Sequence, residues 1–131
     1  MLGSFPLTAI VTAVALLVYI WLIMKVGGAR AKYGVNAPSI DGPPEFQRIF
    51  RVQQNTVEQL VLFIPALWMF AAAWGDMWAA AIGVFWPLGR VVYALTYYQA
   101  AEKRALGFLV TVLPSIILLL GGLIGAVAQV F

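Results

Sequence analysis

The sequence predicts an all-α membrane protein, a bundle of four transmembrane helices. Of its 131 residues, 63% are hydrophobic and only 10% are charged, and the mean hydropathy is +0.95. Soluble domains are about half apolar and about a quarter charged, so lipid is expected to surround most of this chain. Its apolar runs, separated by short polar segments, are long enough for the roughly 20 residues that a bilayer-spanning helix needs.

The first helix is expected over about residues 2–24. Its apolar run has no basic leader and is longer than the hydrophobic region of a signal peptide, so we expect it to remain as a spanning helix. Lys25 and the Gly27-Gly28 pair are expected to end it.

The second helix is expected over residues 43–74, after a polar loop. Asp41-Gly42-Pro43-Pro44 has the composition of a turn followed by prolines, and prolines suit the first positions of a helix. Gly75-Asp76 then provides a tight turn into the third helix.

The third and fourth helices are expected over residues 77–101 and 105–131. Glu102-Lys103-Arg104 marks the polar boundary between them, and the last segment has no charged residue. The GxxxG spacing of Gly121 and Gly125 favours close helix packing. Prolines at three internal positions are candidates for helix kinks, namely Pro65, Pro87 and Pro114.

The basic residues gather on one side of the membrane, while the opposite side carries only Asp76. By the positive-inside rule, both basic loops face the cytoplasm and both chain termini lie outside. A bacterial inner membrane is the expected location of this multi-pass protein, with the endoplasmic reticulum as the alternative. The residues concerned are Lys25, Arg30, Lys32 and Arg48 around the first loop, and Lys103 and Arg104 in the third.

The chain has no cysteine and no histidine. Disulfides, metal sites built on these residues, cysteine nucleophiles and a histidine general base are therefore excluded. Any thiol chemistry must use the sulfur of a substrate. Because the basic residues flank apolar spans and form no soluble basic face, nucleic acid binding is not expected.

Two polar stripes are predicted on adjacent antiparallel helices. On each helix the polar residues recur every three or four positions, which places them on one face. At 1.5 Å per residue, the stripes converge at similar depth near the cytoplasmic interface. The first stripe is Arg48, Arg51, Asn55 and Glu58, and the second is Arg90, Tyr93 and Tyr97, with Arg104 added if the helix continues.

These stripes have two interpretations. In the first, Glu58 and Arg90 form a structural ion pair, because an ionisable residue within a bilayer costs about 3 kcal/mol on insertion scales. In that interpretation the other arginines reach toward lipid headgroups. In the second, the stripes form a binding site with guanidinium groups for carboxylates, a carboxylate for an amine and an amide for a peptide bond. We favour the second, because this set fits a small zwitterionic peptide.

The residues resemble the MAPEG family, the membrane-associated proteins in eicosanoid and glutathione metabolism. This family includes microsomal glutathione transferases and leukotriene synthases, and the resemblance covers nearly the whole chain. Its most specific stretch is Gly42-Pro43-Pro44-Glu45-Phe46 followed by Arg48, Arg51, Gln53, Asn55 and Glu58, and the pattern of Arg90, Tyr93, Tyr97 and Arg104 supports it.

The resemblance implies a homotrimer of four-helix subunits, each with one transmembrane domain over residues 1–131, and glutathione bound between neighbouring subunits. Arg104 would face the glutathione sulfur. The lipophilic electrophile would lie in an apolar groove open to the membrane lipid. Carried over by position, one subunit would hold glutathione through Arg51, Asn55, Glu58, Tyr93 and Tyr97, and the next would contribute Arg30 and Gln53.

Three positions depart from particular branches of the family. Ala31 follows Arg30 where the leukotriene synthases have a second arginine, and Gln59 replaces an aromatic residue. Ala105 follows Arg104 where the prostaglandin E synthases have a serine. These departures do not support eicosanoid synthesis and favour a general glutathione transferase, with or without peroxidase activity toward lipid hydroperoxides.

Two other functions remain open from the sequence. One is a non-catalytic lipid-binding scaffold of the same family, against which the retained glutathione-site residues argue. The other is a small four-helix exporter of lipophilic cations. An exporter is disfavoured because its expected carboxylate in the first helix is absent, which leaves only Glu58 to couple protons.

Overall fold

A computed structural model describes residues 4–131 of the chain, and this part is entirely helical apart from its connections. Four segments of the described part are long and apolar enough to cross a membrane, and α3 and α4 together form the third, Asp76–Gln99. The predicted all-α architecture with four spans is confirmed. The helices are α1 Pro6–Tyr33, α2 Pro44–Trp74, α3 Asp76–Gly83, α4 Phe85–Gln99 and α5 Ala105–Val130, with a 3₁₀ turn at Ala101–Arg104 before α5.

The first helix is longer than the sequence predicts. The predicted end near residue 24 is wrong, because α1 continues through Gly27 and Gly28 to Tyr33. A glycine inside a helix costs only about 1 kcal/mol relative to alanine, which a helix of this length tolerates. The helix ends at Gly34, whose φ of 68° is left-handed and whose N–H donates to the carbonyl of Arg30. The predicted start at residue 2 lies outside the described residues.

The third span is broken into two helices where one was predicted. The break lies at Val84, three residues before Pro87. A proline has no N–H to donate to the carbonyl four residues earlier, and its ring crowds that carbonyl, which here belongs to Gly83. The span also ends earlier than predicted, at Gln99, because Ala100 is extended with φ −163° and ψ 137°.

The end of the bundle that holds the start of α1, the end of α5 and the Gly75 turn, here called the turn end, is closely packed. A Cβ atom at Gly121 would lie 2.5 Å from the Phe70 ring, and one at Gly125 would lie 2.4 Å from the Cβ of Ala73. Trp74 Nε1 donates to the Gly121 carbonyl over 2.8 Å. The expectation that the glycine pair permits close helix packing is confirmed.

A carboxylate caps the first helix at the same end. The side chain of Asp76 accepts hydrogen bonds from the backbone N–H groups of Leu7, at 3.0 Å, and Thr8, at 2.7 Å. Because the first N–H groups of a helix have no partner within the helix, this contact replaces the local cap that Phe5 does not supply. It ties the beginning of α1 to the beginning of α3.

Candidate functional site

The polar stripes of α2 and α4 meet toward the opposite end of the bundle, which holds the loop of residues 34–43 and the turn of residues 100–104 and is here called the loop end. Arg90 Nη1 donates to Asn55 Oδ1 over 2.9 Å and to Thr56 Oγ1 over 3.1 Å. The two predicted stripes therefore do face each other. Arg90 was predicted to lie on the second stripe but not to bind the ligand directly.

The structural ion pair between Glu58 and Arg90 does not form within the described residues. Arg90 is fully buried, and its Nε and Nη2 atoms have no hydrogen-bond partner. Glu58 is exposed on α2 instead. Because helix positions three residues apart differ by about 60° in direction, Asn55 and Glu58 can share a stripe while only Asn55 contacts Arg90.

Aromatic rings cover Arg90 on α4. The centroid of the Tyr93 ring lies 3.9 Å from Arg90 Cζ, and the centroid of the Trp86 ring lies 5.8 Å away. Tyr93 is only 3% exposed, and its ring lies 5.4 Å from that of Tyr97. Such cation–π contacts stabilise a desolvated guanidinium and fix the orientation of the ring.

Tyr93 keeps this position because α5 approaches it at a glycine. A Cβ atom at Gly107 would lie 2.4 Å from both the N and the Cα of Tyr93, so no larger residue fits without moving the backbone of α4. The distance between α4 and α5 at the site is therefore set by the absence of a side chain. Gly107 was not predicted to shape the site, because that prediction used only the spacing of polar residues.

Arg104 lies in the turn that follows α4. The sequence places it on the polar face of α4 only if that helix continues past residue 101, but α4 ends at Gln99 and Arg104 lies in the 3₁₀ turn. Its Nη1 donates to the Ala101 carbonyl over 2.8 Å, and its Cζ lies 5.8 Å from the centroid of the Tyr97 ring. It lines a cavity of about 600 Å³ together with Glu102, Ala105 and Phe108.

The outward face of α2 carries exposed charged residues. Arg51 and Glu58 are both exposed, and Arg51 Nη1 donates only to a neighbour on its own helix, Gln54, over 3.2 Å. Both residues belong to the segment Pro44–Trp74, which is long and apolar enough to span a membrane. Within a single chain this part of the stripe is therefore left uncovered.

Arg30 has partners within the chain. Its Nη1 donates to the carbonyls of Ser39, at 2.6 Å, and Val35, at 3.4 Å, and its guanidinium lies 5.5 Å from the centroid of the Phe46 ring. These contacts hold the loop of residues 34–43 against α1 and α2. Since Nη1 makes both hydrogen bonds, its other nitrogen atoms can serve a second partner.

Gln53 lies on a different side of α2 from Arg51. Its Nε2 donates to the Tyr19 hydroxyl over 2.9 Å, which joins α2 to α1. Tyr19 was not predicted to have this role, because a lone tyrosine in an apolar helix belongs to no periodic pattern of polar residues.

An apolar groove between α3, α4 and α5 is open on the surface of the bundle. It has a volume of about 550 Å³, and one end lies at Leu106, two residues beyond Arg104. Aromatic and aliphatic side chains line it, which is typical of a groove that holds an apolar ligand. The lining residues are Trp78, Ala81, Ile82, Phe85, Leu106, Leu109, Val110, Leu113, Pro114 and Ile117.

Comparison with known proteins places this arrangement in context. The sequence model of the MAPEG family matches residues 8–124. The chain is 49% identical to an uncharacterized protein of Synechocystis sp. over 121 residues, which cover 92% of this chain and 88% of that protein. It is 39% identical to human microsomal glutathione S-transferase 2 over 108 residues, 82% of this chain and 74% of that protein. It is 36% identical to mouse leukotriene C4 synthase over 98 residues, 75% and 65% respectively.

Proposed function

The chain belongs to the MAPEG family of membrane proteins, and from that premise we propose that it is a glutathione transferase that activates glutathione as its thiolate. The observation that carries the proposal is the position of Arg104. Its guanidinium lies beside Tyr97 of the polar face of α4 and lines an open cavity at the loop end. The chain's similarity to a glutathione S-transferase and a leukotriene C4 synthase supports the same chemistry.

The charges of the site complement those of glutathione. Arg51 offers a guanidinium to a glutathione carboxylate, and Glu58 offers a carboxylate to the amino group. Both are exposed in the single chain and so are accessible to a ligand. Asn55 and the phenols of Tyr93 and Tyr97 add hydrogen bonds from the same subunit, and we propose that Arg30 and Gln53 of a neighbouring subunit complete the site.

We further propose that three copies of this single transmembrane domain assemble as a homotrimer. An ionisable side chain exposed to lipid costs about 3 kcal/mol at the centre of a bilayer, and Arg51 and Glu58, nearer the interface, would each incur part of this cost in an isolated chain. A second copy packed against this face of α2, with glutathione between them, removes the charges from lipid. Chemical cross-linking in native membranes should give a ladder that ends at three chains.

The proposed chemistry starts from the glutathione thiol. A free thiol has a pKa of about 8.5, and only the thiolate is a strong nucleophile. Lowering that pKa by two units needs about 2.7 kcal/mol of stabilisation, which one partly desolvated guanidinium can supply. Arg104 suits this task because arginine stays protonated at any physiological pH.

The thiolate then attacks a lipophilic electrophile that enters from the membrane. The sulfur forms a bond to the electrophilic carbon, and the electron pair of the broken bond leaves with the departing group. The apolar groove that ends at Leu106 provides a route for such acceptors toward Arg104. Lipid hydroperoxides are a second class of acceptor that fits the same groove and the same nucleophile.

The loop end carries the basic residues that flank the spans, so we propose that the site faces the cytoplasm and both termini lie outside, in a bacterial inner membrane. The Synechocystis relative supports a bacterial membrane. Protease treatment of sealed inside-out vesicles should cleave the loop of residues 34–43.

A glutathione titration followed by the ultraviolet absorbance of the thiolate tests the proposal. The detergent-purified parent should show a saturating thiolate signal at neutral pH, and Arg104→Ala should lose most of it, with turnover reduced about 20-fold, as expected from the thiolate fraction at pH 7 when the thiol pKa rises from about 6.5 to about 8.5. Lys103→Ala is the matched control, because Lys103 is the adjacent cation but donates only to the side chain of Gln99. Glutathione binding without a thiolate in the parent would remove Arg104 from the activating role, and no binding would favour a lipid-binding scaffold.

A further inference from the structure

Arg90 is a fully buried cation whose hydrogen-bond acceptors in the described part of the chain are neutral oxygens. Its side chain is 0% exposed within a membrane span, and it donates to Asn55 and Thr56 rather than to a carboxylate. A buried charge without a counter-ion is destabilising by several kcal/mol, so an arginine at this position is costly as a packing element. This cost points to a role in the site that Arg90 contacts.

The hydrogen bond to Asn55 determines which way the asparagine amide faces. Arginine carries only donors, so the atom of Asn55 that faces Arg90 must be the carbonyl oxygen Oδ1. The 2.9 Å distance to Nη1 is typical of a strong, charge-assisted hydrogen bond. The NH₂ group is on the other branch of the amide, and Asn55 is only half-buried, so this donor is left for a ligand.

Arg90 contacts a second residue of the proposed site on its own helix. Its guanidinium lies 3.9 Å from the centroid of the Tyr93 ring, so one buried side chain links the amide on α2 to the phenol on α4. Rigid support of this kind holds binding groups in their productive geometry.

We infer that Arg90 is a positioning residue that fixes Asn55 as a hydrogen-bond donor toward an acceptor atom of glutathione, a carboxylate or a peptide carbonyl. The inference rests on the proposed function, because glutathione is the ligand. Arg90 acts through Asn55 and does not touch the ligand, since its own atoms are enclosed. Without Arg90, the amide is free to rotate and to present its oxygen to the ligand instead.

Asn55→Asp separates this role from a structural one. The substitution places a carboxylate beside the buried guanidinium, so the midpoint of thermal unfolding should be unchanged or higher. The same substitution replaces the NH₂ donor by an acceptor, so the affinity for glutathione should fall at least about tenfold, the effect of about 1.4 kcal/mol for a lost hydrogen bond to a charged group. Calorimetric titration of glutathione into the full-length chain in detergent measures the affinity. Affinity equal to that of the parent would overturn the inference.

A double-mutant cycle tests the pathway through Asn55. Arg90→Lys should weaken glutathione binding less in an Asn55→Ala background than in the parent, because Arg90 then has no amide to orient and supports only Tyr93. Additive losses would show that Arg90 supports the fold alone and would overturn the inference. If Arg90→Lys does not fold, the result with Asn55→Asp decides.

Thr56→Val is the matched control, because it removes the other acceptor of Arg90 and leaves the bond to Asn55. It should change the affinity for glutathione by less than about twofold, since the hydrogen bond to Asn55 is retained. A loss as large as that of Asn55→Ala would mean that any damage around Arg90 disturbs binding, which contradicts a specific role for the amide.

If the parent itself gives no heat with glutathione, the proposed function fails and the inference fails with it. A parent that binds, with an additive cycle, leaves the function standing and removes only the role of Arg90.

Discussion

The two ends of α2 are packed in opposite ways. At the turn end, α2 meets α5 through Gly121 and Gly125, and Trp74 donates to a carbonyl of α5. Toward the loop end the same helix exposes Arg51 and Glu58. The first contact is complete within one chain, whereas the second leaves charged groups without cover.

This difference indicates that the two ends of α2 serve different purposes, one for stability and the other for binding. Glycines at a helix contact allow backbones to approach closely, and such packing stabilises helices in lipid where the hydrophobic effect does not. Charged groups in lipid are unfavourable until a ligand or a second copy covers them. The turn end therefore holds the bundle together, and the loop end is available for binding.

The largest expected effect comes from Gly107→Ala, which tests whether the loop end also depends on one close contact. The new methyl group would meet the backbone of Tyr93 at 2.4 Å, so α4 must move. We expect a loss of about 2–3 kcal/mol in the free energy of unfolding, as for overpacked cores, together with weaker glutathione binding. Thermal unfolding and calorimetry measure the two effects. Unchanged binding would show that the position of Tyr93 does not matter to the site.

The next largest effect is expected for Arg51→Leu and Glu58→Leu, which test whether the exposed charges at the loop end contribute to binding and not to stability. Each should weaken glutathione binding about tenfold or more through loss of a charged partner. Neither should lower the unfolding temperature of the detergent-purified chain, because neither side chain is packed within it. Glu45→Leu, an exposed carboxylate in the first turn of α2 and outside the stripe, is the control. A fall in unfolding temperature would mean that the stripe is structural.

A smaller effect is expected at the turn end from Asp76→Ala. The substitution removes the acceptor for the N–H groups of Leu7 and Thr8, and loss of a helix cap costs about 1 kcal/mol. Unfolding should occur a few degrees lower, while glutathione affinity stays the same. Asp41→Ala provides the comparison, because that carboxylate lies in the loop of residues 34–43, away from the start of α1. A loss of affinity with Asp76→Ala would show that the two ends are coupled.

The sequence was sufficient for the four spans and for the pairing of the two polar stripes. Long apolar runs determine the spans. The spacing of three or four residues between the polar residues within α2 and within α4 determines which faces of the two helices meet. It was not sufficient to choose between Asn55 and Glu58 as the partner of Arg90. Those residues lie less than one turn apart, so a small rotation of α2 changes the partner, and packing alone sets that rotation.

Helix ends were predicted less well, for a related physical reason. Gly27 and Gly28 suggested an end because glycine is a poor helix former, but α1 ends at Gly34, where the backbone adopts a left-handed conformation. The break at Val84 follows from Pro87, yet proline within a span is compatible with a kink as well as with a break. Local composition narrows these choices, and tertiary contacts decide them.

The smallest expected effect is that of Gly28→Ala. This variant tests whether the surface of α1 near the loop end is unpacked, as the exposed face of α2 is. A methyl group at Gly28 would meet no atom within 4 Å, so alanine should stabilise the helix by about 0.5–1 kcal/mol. Gly34→Ala is the matched control with the opposite sign, because φ is 68° there and the left-handed conformation costs a non-glycine residue about 1–2 kcal/mol. Thermal unfolding of both variants in detergent measures the difference. If Gly28→Ala destabilises the protein instead, this face of α1 must be packed against another copy of the chain. The interface that covers the exposed charges of α2 would then include α1 as well.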